Sequence, residues 1–283
     1  MTTYAVTGAS GQLGEKIVRA LLDLHLSPFD VVALARDTDK VEELAALGVR
    51  TREADYDRPE TLATALEGVD RLVLVSASEP GRRLPQHVAV IEAAEAAGVS
   101  RIVYTSILKA DTTSNALAPE HLATEERLTA SPIETVALRN SWYIENYTGQ
   151  VPGYVERGAI VGATDGAVIS AATRQDFAEA AAAAVTADAV KPVYELAGVD
   201  FTLADLAATV TAASGTEVTY TNVTVDQLAA GMVEAGLDEG TAGFWASIDA
   251  SIAQGDLQTG STDLVQLIGR APTSLEAAVK AAV

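Results

Sequence analysis

An α/β fold, a doubly wound parallel sheet with a smaller, mostly helical C-terminal lobe, is predicted by three observations. Short apolar runs of strand length alternate with helical patterns through the first half of the 283 residues. Two of these runs, 31–35 and 71–75, are almost wholly apolar, as parallel strands covered on both faces must be. The first run, 4–6, breaks at Gly8 and passes through Gly11 and Gly14 into a helical pattern at Ile17, Val18, Leu21 and Leu22.

That strand, glycine turn and helix define the first candidate site. Glycines take positive φ without strain and let a ligand approach where a Cβ would stand. The free N–H groups of the first helical turn and the helix dipole favour an anion there, so the natural guest is a pyrophosphate. A tight turn with no ligand is the alternative. The spacing is Gly-x-x-Gly-x-x-Gly rather than the Gly-x-Gly-x-x-Gly dinucleotide fingerprint.

The second strand, 31–35, ends at Arg36-Asp37. In such sheets an acid at this strand end accepts from the adenosine 2′-hydroxyl, whereas an arginine pairs with a 2′-phosphate. Arg36 comes first and favours NADPH, while Asp37 keeps NADH open as the weaker option. A solvated surface residue is the other reading of Arg36. A helix over 38–47 and a strand over 49–54 lead to Asp55-Tyr56-Asp57, where an acid suits an adenine amino group or caps the helix after Pro59. The fourth strand, 71–75, ends in Ser76-Ala77-Ser78. Ligands of doubly wound sheets lie beyond the carboxyl ends of the strands, so Gly8, Arg36, Asp55 and Ser76 should line one crevice.

A helix over 84–97 and a strand over 102–105 follow, ending in Tyr104-Thr105-Ser106. The polar stretch 109–115 is long enough that it could cover the site, and the helix from Pro119 carries His121. A sixth strand, 132–138, runs into Arg139-Asn140 and then Trp142, Tyr143, Asn146 and Tyr147. This cluster combines flat apolar faces with hydrogen-bonding groups, which a nicotinamide and a planar substrate need. A loop packing its own aromatics would look the same.

Beyond residue 150 the chain is punctuated by glycines over 153–166, with short strands near Ile160 and Val168. An Ala-rich helix over 174–185 and a strand over 193–196 come next. Thr202 and Asp205 then nearly form a capping box opening a helix to 213. A strand over 217–221 and helices over 227–235, 243–253, 263–268 and 275–282 complete the pattern. Residues 1–150 are expected to bind the cofactor and 151–283 to cover the substrate, as a lobe interleaved with the first.

The charge of −20 opposes binding to nucleic acid or anionic lipid, and no run of Lys and Arg offsets it. No apolar run approaches the length of a membrane span, and with the first strand beginning at residue 4 no signal peptide is expected. With no cysteine there is no disulfide or thiolate chemistry, which fits a cytoplasmic location. The three histidines, His25, His87 and His121, stand at no metal-ligand spacing. Monomer and homodimer are both open.

By this point the chain resembles a known group. The run 7–14 (Thr-Gly-Ala-Ser-Gly-Gln-Leu-Gly), Tyr104-Thr105-Ser106, the helix start 118–125 and the run 138–147 together resemble the NmrA-like group of atypical short-chain dehydrogenase/reductases. Within it they are most similar to the bacterial type 2 NAD(P)H:quinone oxidoreductases. The resemblance implies a Rossmann-type domain binding NADPH and passing hydride to a quinone without flavin. It assigns Gly8, Ser10, Gly11, Gln12 and Leu13 to the phosphates, Arg36 to the 2′-phosphate and Asp55 to adenine. Ser76, Ala77 and Thr105 fall along the cofactor's middle, and Asn140, Trp142 and Tyr143 near the nicotinamide and substrate.

The Tyr-x-x-x-Lys pair usual in that superfamily is missing: four residues after Tyr104 stands Leu108, and Lys109 falls one position late. His121 stands about where some NmrA-like reductases carry a lysine, and an imidazole titrating near neutral pH would serve as proton donor. A quinone is a ready hydride acceptor whose reduced oxyanion is resonance-stabilised, so positioning can do most of the catalysis. A ketone would need a placed acid. The expected chemistry is therefore quinone reduction, with Trp142 and Tyr143 stacking the ring and His121 or water supplying protons. A non-enzymatic NADP(H)-binding redox sensor is the alternative, and reduction of an activated C=C or imine a weaker third.

Overall fold

The computed structural model describes residues 1–79 and 81–283. The chain opens with β1 (Tyr4–Val6), α1 (Gln12–Asp23), β2 (Val31–Ala35), α2 (Glu42–Ala46), β3 (Arg50–Glu53), α3 (Pro59–Ala65) and β4 (Arg71–Leu74). It continues through α4 (Arg83–Ala97), β5 (Arg101–Ile107), α5 (Ala118–Thr129) and β6 (Glu134–Asn140). After α6 (Glu145–Thr148), α7 (Val151–Arg157), β7 (Ala159–Gly162) and β8 (Ile169–Ala171) come α8 (Arg174–Thr186) and β9 (Val193–Leu196). The last elements are β10 (Val199–Phe201), α9 (Leu203–Ser214), β11 (Thr219–Asn222), α10 (Val225–Glu234), α11 (Glu239–Ala253), α12 (Asp263–Ile268) and α13 (Leu275–Lys280).

Seven strands pair in parallel in the order β3-β2-β1-β4-β5-β6-β9, so the sheet winds outward in both directions from the junction of β1 and β4. Alternate residues of each strand feed two cores. Tyr4, Val6, Val31, Ala33, Val73 and Val103 pack with α1 and α8, while Ala5, Val32, Leu34, Leu72, Leu74 and Ile102 pack with α3 and α4. Both faces being covered, β2 and β5 are buried at every position, the physical reason for the unbroken apolar run of β2. The small residues of α8, Ala178, Ala181 and Ala182 among them, let this helix lie close against α1.

Residues beyond 150 contribute β9 and α8 to this sheet and its cover. The remainder builds a third core around Tyr147, Tyr154, Phe201, Leu206, Ile248 and Ile252. That lobe also contains two small sheets, β8 with β10 and β7 with β11. Capping boxes at Thr173/Asp176, Thr202/Asp205 and Thr224/Gln227 fix where α8, α9 and α10 begin.

Four expectations change. The helix over 38–47 is a 3-10 turn, Thr38–Val41, followed by the short α2. β5 and β6 run on together for seven paired positions, from Arg101↔Glu134 to Ile107↔Asn140, so Ser106, Arg139 and Asn140 lie within strands rather than past their ends. Pro132 stays outside β6, where a missing N–H breaks no ladder bond. The strand β10 had no counterpart in the sequence pattern, being three residues long. Among the described residues no helix is long and apolar enough to cross a membrane.

Candidate active site

The carboxyl ends of β1, β2, β4, β5 and β6 open into one cavity of about 570 Å³. The residues that the resemblance assigns to the cofactor line it: Gly8, Ser10, Gly11, Gln12 and Leu13 at the glycine turn, Arg36 and Asp55 at one flank, Ser76, Ala77 and Thr105 along the middle. His121, Asn140, Trp142 and Tyr143 form the other flank. Asp37, which accepts from the Asp39 N–H, and Tyr147, which packs against Phe201 in the third core, do not line it.

The glycine turn suits a phosphate for reasons of space. Gly8 sits at φ +59°, and a Cβ on Gly14 would stand 2.2 Å from the carbonyl oxygen of Gly8. Only glycine at position 14 lets α1 start this close beneath the turn. Gly11, the N-cap of α1, offers no side chain to cap the helix, so the first-turn N–H groups are left for a ligand.

Beyond the end of β4, side chains hold the backbone in place of sheet partners. The N–H of Val75 donates to Thr7 Oγ1 at 2.9 Å, and Tyr56 donates to the Val75 carbonyl at 3.1 Å. The N–H of Ser76 donates to Thr105 Oγ1 at 2.9 Å, and that of Ala77 to His87 Nε2 at 2.9 Å. Arg83 Nε donates to the Ala77 carbonyl at 2.9 Å. Because Nε2 of His87 accepts, its proton is on Nδ1, facing Thr124 Oγ1 at 3.0 Å. Burial, reinforced by the charge of Arg83, pushes this imidazole down to about 3, so it is neutral at physiological pH. His87 thus braces the strand end that lines the cavity, a role its isolated place in the sequence gave no hint of.

His121 is corrected by its surroundings. It is buried, with Nδ1 2.8 Å from the hydroxyl of the wholly buried Tyr104. Desolvation first, then the charge of Arg83, hold its pKa well below the ordinary value. The imidazole is neutral at physiological pH, so it is not the titrating acid expected from an unperturbed histidine. Tyr104 is out of the cavity, and burial pushes its phenol above the ordinary range.

The polar stretch 109–115 does not cover the site either. Lys109 donates its N–H to Glu195 Oε2 at 2.9 Å and its Nζ to the Gly255 carbonyl at 3.0 Å, while Ser114 donates to Asp256. These bonds fasten the stretch to β9 and to the C-terminal lobe. Asp55, read as either an adenine contact or a helix cap, is not the N-cap of α3, which is Arg58. Its Oδ1 accepts from the Asp57 N–H at 3.1 Å in a local turn.

At the far flank, Asn140 Oδ1 is buried without a hydrogen-bond partner among the described residues. Such an orphaned acceptor beside a cavity suits a ligand amide such as a carboxamide. The Arg174 guanidinium carbon lies 4.6 Å from the Tyr143 ring centroid, and Arg174 Nη2 donates to Asn146 Oδ1 at 3.2 Å. Burial raises the Tyr143 phenol pKa, opposed by the charge of Arg174. Arg174 and Trp245 also line the cavity although they come from the second half of the chain. In sequence Arg174 reads only as the start of a helix, and Trp245 lies some hundred residues from the aromatic cluster at 142–147, so neither carried a local signal.

The free helix terminus, the turn that excludes a Cβ and the orphaned amide acceptor together fit a nicotinamide dinucleotide. Comparison with known proteins agrees. A family model described as NAD(P)H-binding matches residues 8–189. Quinone oxidoreductase 2 of Escherichia coli is 43% identical over 277 residues, covering 97% of this chain and 96% of its own. The crystal structure of an Escherichia coli NADPH-dependent quinone oxidoreductase complexed with NADPH superposes with a TM-score of 0.94, covering 98% of both chains. The triphenylmethane reductase of Citrobacter sp. complexed with NADP(H) also reaches 0.94, at 33% identity, over 99% of this chain and 100% of that one. The chain belongs to the NAD(P)H-binding family, among its NmrA-like members.

Proposed function

We propose that this protein is an NADPH-dependent quinone oxidoreductase that passes hydride directly to a quinone or similar activated planar acceptor, without flavin. One observation carries the reading: a single cavity joins the glycine turn and Arg36 to the aromatic wall of Trp142 and Tyr143, and the one histidine lining it is held neutral. The Escherichia coli relative supports it.

When bound, the nicotinamide supplies the hydride; the balance is NADPH, quinone and one proton giving NADP⁺ and hydroquinone. The chain's own residues bind and orient. The N–H groups opening α1 hold the pyrophosphate, Arg36 the 2′-phosphate and Asp55 the adenine. Ser76, Ala77 and Thr105 support the middle on the braced end of β4, and Asn140 Oδ1 accepts from the carboxamide. Trp142 and Tyr143 offer faces on which the acceptor stacks, placing it against the nicotinamide. The Tyr104 hydroxyl lies 2.8 Å from Nδ1 of His121; in the tautomer where Tyr104 donates there, neutral His121 would carry its proton on Nε2 to bond the developing oxygen anion, while water delivers the proton. A chain without cysteine that draws on NADPH would do this in the cytoplasm.

The test is nicotinamide absorbance with purified protein, NADPH or NADH, and 1,4-benzoquinone. Quinone-dependent decay that is faster with NADPH supports the enzyme. NADPH binding, seen as a raised melting temperature, with no decay for any quinone would overturn it in favour of the redox sensor.

A further inference from the structure

A chain of charges crosses the cavity's adenosine end. Arg36 Nη1 lies 3.5 Å from Glu79 Oε1, and Glu79 Oε2 lies 3.2 Å from Arg82 Nη1. Arg82 Nη2 in turn lies 2.8 Å from Asp57 Oδ1. Glu79 lines the same cavity as Arg36. The cation assigned to the 2′-phosphate therefore already has an anionic neighbour, supplied by the loop after β4.

We infer that Glu79 sets the cofactor preference by competing with the 2′-phosphate for Arg36, holding the NADPH preference below what Arg36 alone would give. This rests on the reading of Arg36 as the 2′-phosphate residue. A 2′-phosphate brings close to two negative charges to Arg36, and the Glu79 carboxylate opposes them at short range. NADH carries a neutral hydroxyl at that position, which a carboxylate does not repel and from which it can accept a hydrogen bond. Glu79 therefore acts against NADPH selectively. The opposite effect, ordering of Arg36 by Glu79, is the smaller one. The contact is long, and the Arg36 side chain is 67% exposed and free to reorient. When Arg36 turns to the phosphate, Glu79 keeps Arg82 as its partner, so no carboxylate is stranded. Exposed ion pairs shift an equilibrium by up to about fivefold, and they weaken as salt shortens the screening length.

The test compares steady-state KM values for NADPH and NADH in the wild type, Glu79→Gln and Arg36→Ala at low and high salt. Glu79→Gln should lower the NADPH KM by about two- to fivefold at low salt, leave the NADH KM unchanged or raised, and lose most of this effect at about 0.5 M salt. Arg36→Ala should raise the NADPH KM several-fold and leave NADH nearly unaltered. If Arg36→Ala does this and Glu79→Gln leaves the ratio of the two KM values unmoved, or raises the NADPH KM, the role of Glu79 is wrong while that of Arg36 stands. If Arg36→Ala affects both cofactors equally, the Arg36 reading itself falls.

Discussion

The hydroxyl of Tyr104 lies 2.8 Å from Nδ1 of His121, a hydrogen bond buried behind the cavity wall. It fixes the imidazole's orientation without giving it charge, since desolvation and the neighbouring Arg83 disfavour the imidazolium. A polarising neutral donor is enough for a quinone, whose reduced oxygen is stabilised by its own ring.

This arrangement predicts a kcat for 1,4-benzoquinone that stays flat between about pH 6 and 8, because no group in the cavity needs to change charge there. His121→Ala should cost less than about tenfold in kcat, whereas a true general acid contributes about 10²- to 10⁴-fold. A limb near the ordinary imidazole pKa that disappears in the variant would show that His121 donates as the imidazolium after all.

The two buried imidazoles also link stability to pH. His87 is pushed down to about 3 and His121 well below its ordinary value, whereas both titrate near 6.5 in the unfolded chain. Below pH 6.5 the unfolded state binds more protons, so stability falls with falling pH, by up to about 1.4 kcal/mol per pH unit for each histidine. The loss continues toward the folded-state values, and above pH 6.5 this contribution is complete. Urea unfolding at pH 7, 6 and 5 should show it, and the slope for His121→Gln should be shallower by about one histidine's share. An unaltered slope would mean that His121 keeps its charge on folding.

Position 14 should tolerate no side chain. In Gly14→Ala the new Cβ meets Gly8 backbone atoms at 2.2 and 2.7 Å and Ala9 Cα at 3.0 Å, all of them main chain rather than flexible side-chain ends. The turn or α1 must shift, for which we expect about 2 kcal/mol or more of destabilisation and a loss of NADPH affinity. Gly8→Ala provides the contrast. Its Cβ finds Val75 at an unstrained 3.7 Å, so it should incur only the left-handed backbone penalty of about 1–2 kcal/mol. Equal NADPH affinity in Gly14→Ala and the wild type, by titration calorimetry, would contradict the role of this contact.

The parts of the site legible in the sequence were those written locally. Gly8, Arg36, Asp55 and Ser76 each follow a strand, and a parallel sheet brings all such ends to one edge, so element order alone placed them in one cavity. The doubly wound parallel sheet followed from its apolar runs, whereas the place of β9 at its edge beside β6 did not. What stayed hidden depends on contacts between distant positions. The neutrality of His121 comes first from its burial and then from the charge of Arg83, more than thirty residues away, and the brace on Ala77 from His87, which read as an ordinary member of a helix, and from Arg83 just before it. The polar stretch 109–115 looked free to fold over the site because its partners, Glu195, Gly255 and Asp256, lie far along the chain.

Trp245 is the last such case, and it separates acceptor from cofactor. It stands on α11 in the C-terminal lobe, packed edge-on against Phe244 with ring centroids 5.4 Å apart, 41% exposed and lining the cavity. Being half in solvent, it adds little to the core, so Trp245→Ala should leave the melting temperature nearly unchanged. An aromatic face at a cavity wall is worth about 0.5–1.5 kcal/mol to a stacked ring, more for a larger one. The variant should therefore raise the KM for a two-ring naphthoquinone by about two- to tenfold, raise that for 1,4-benzoquinone less, and leave the NADPH KM unaltered. A rise confined to NADPH would place Trp245 over the cofactor and leave Trp142 and Tyr143 as the faces that receive the quinone.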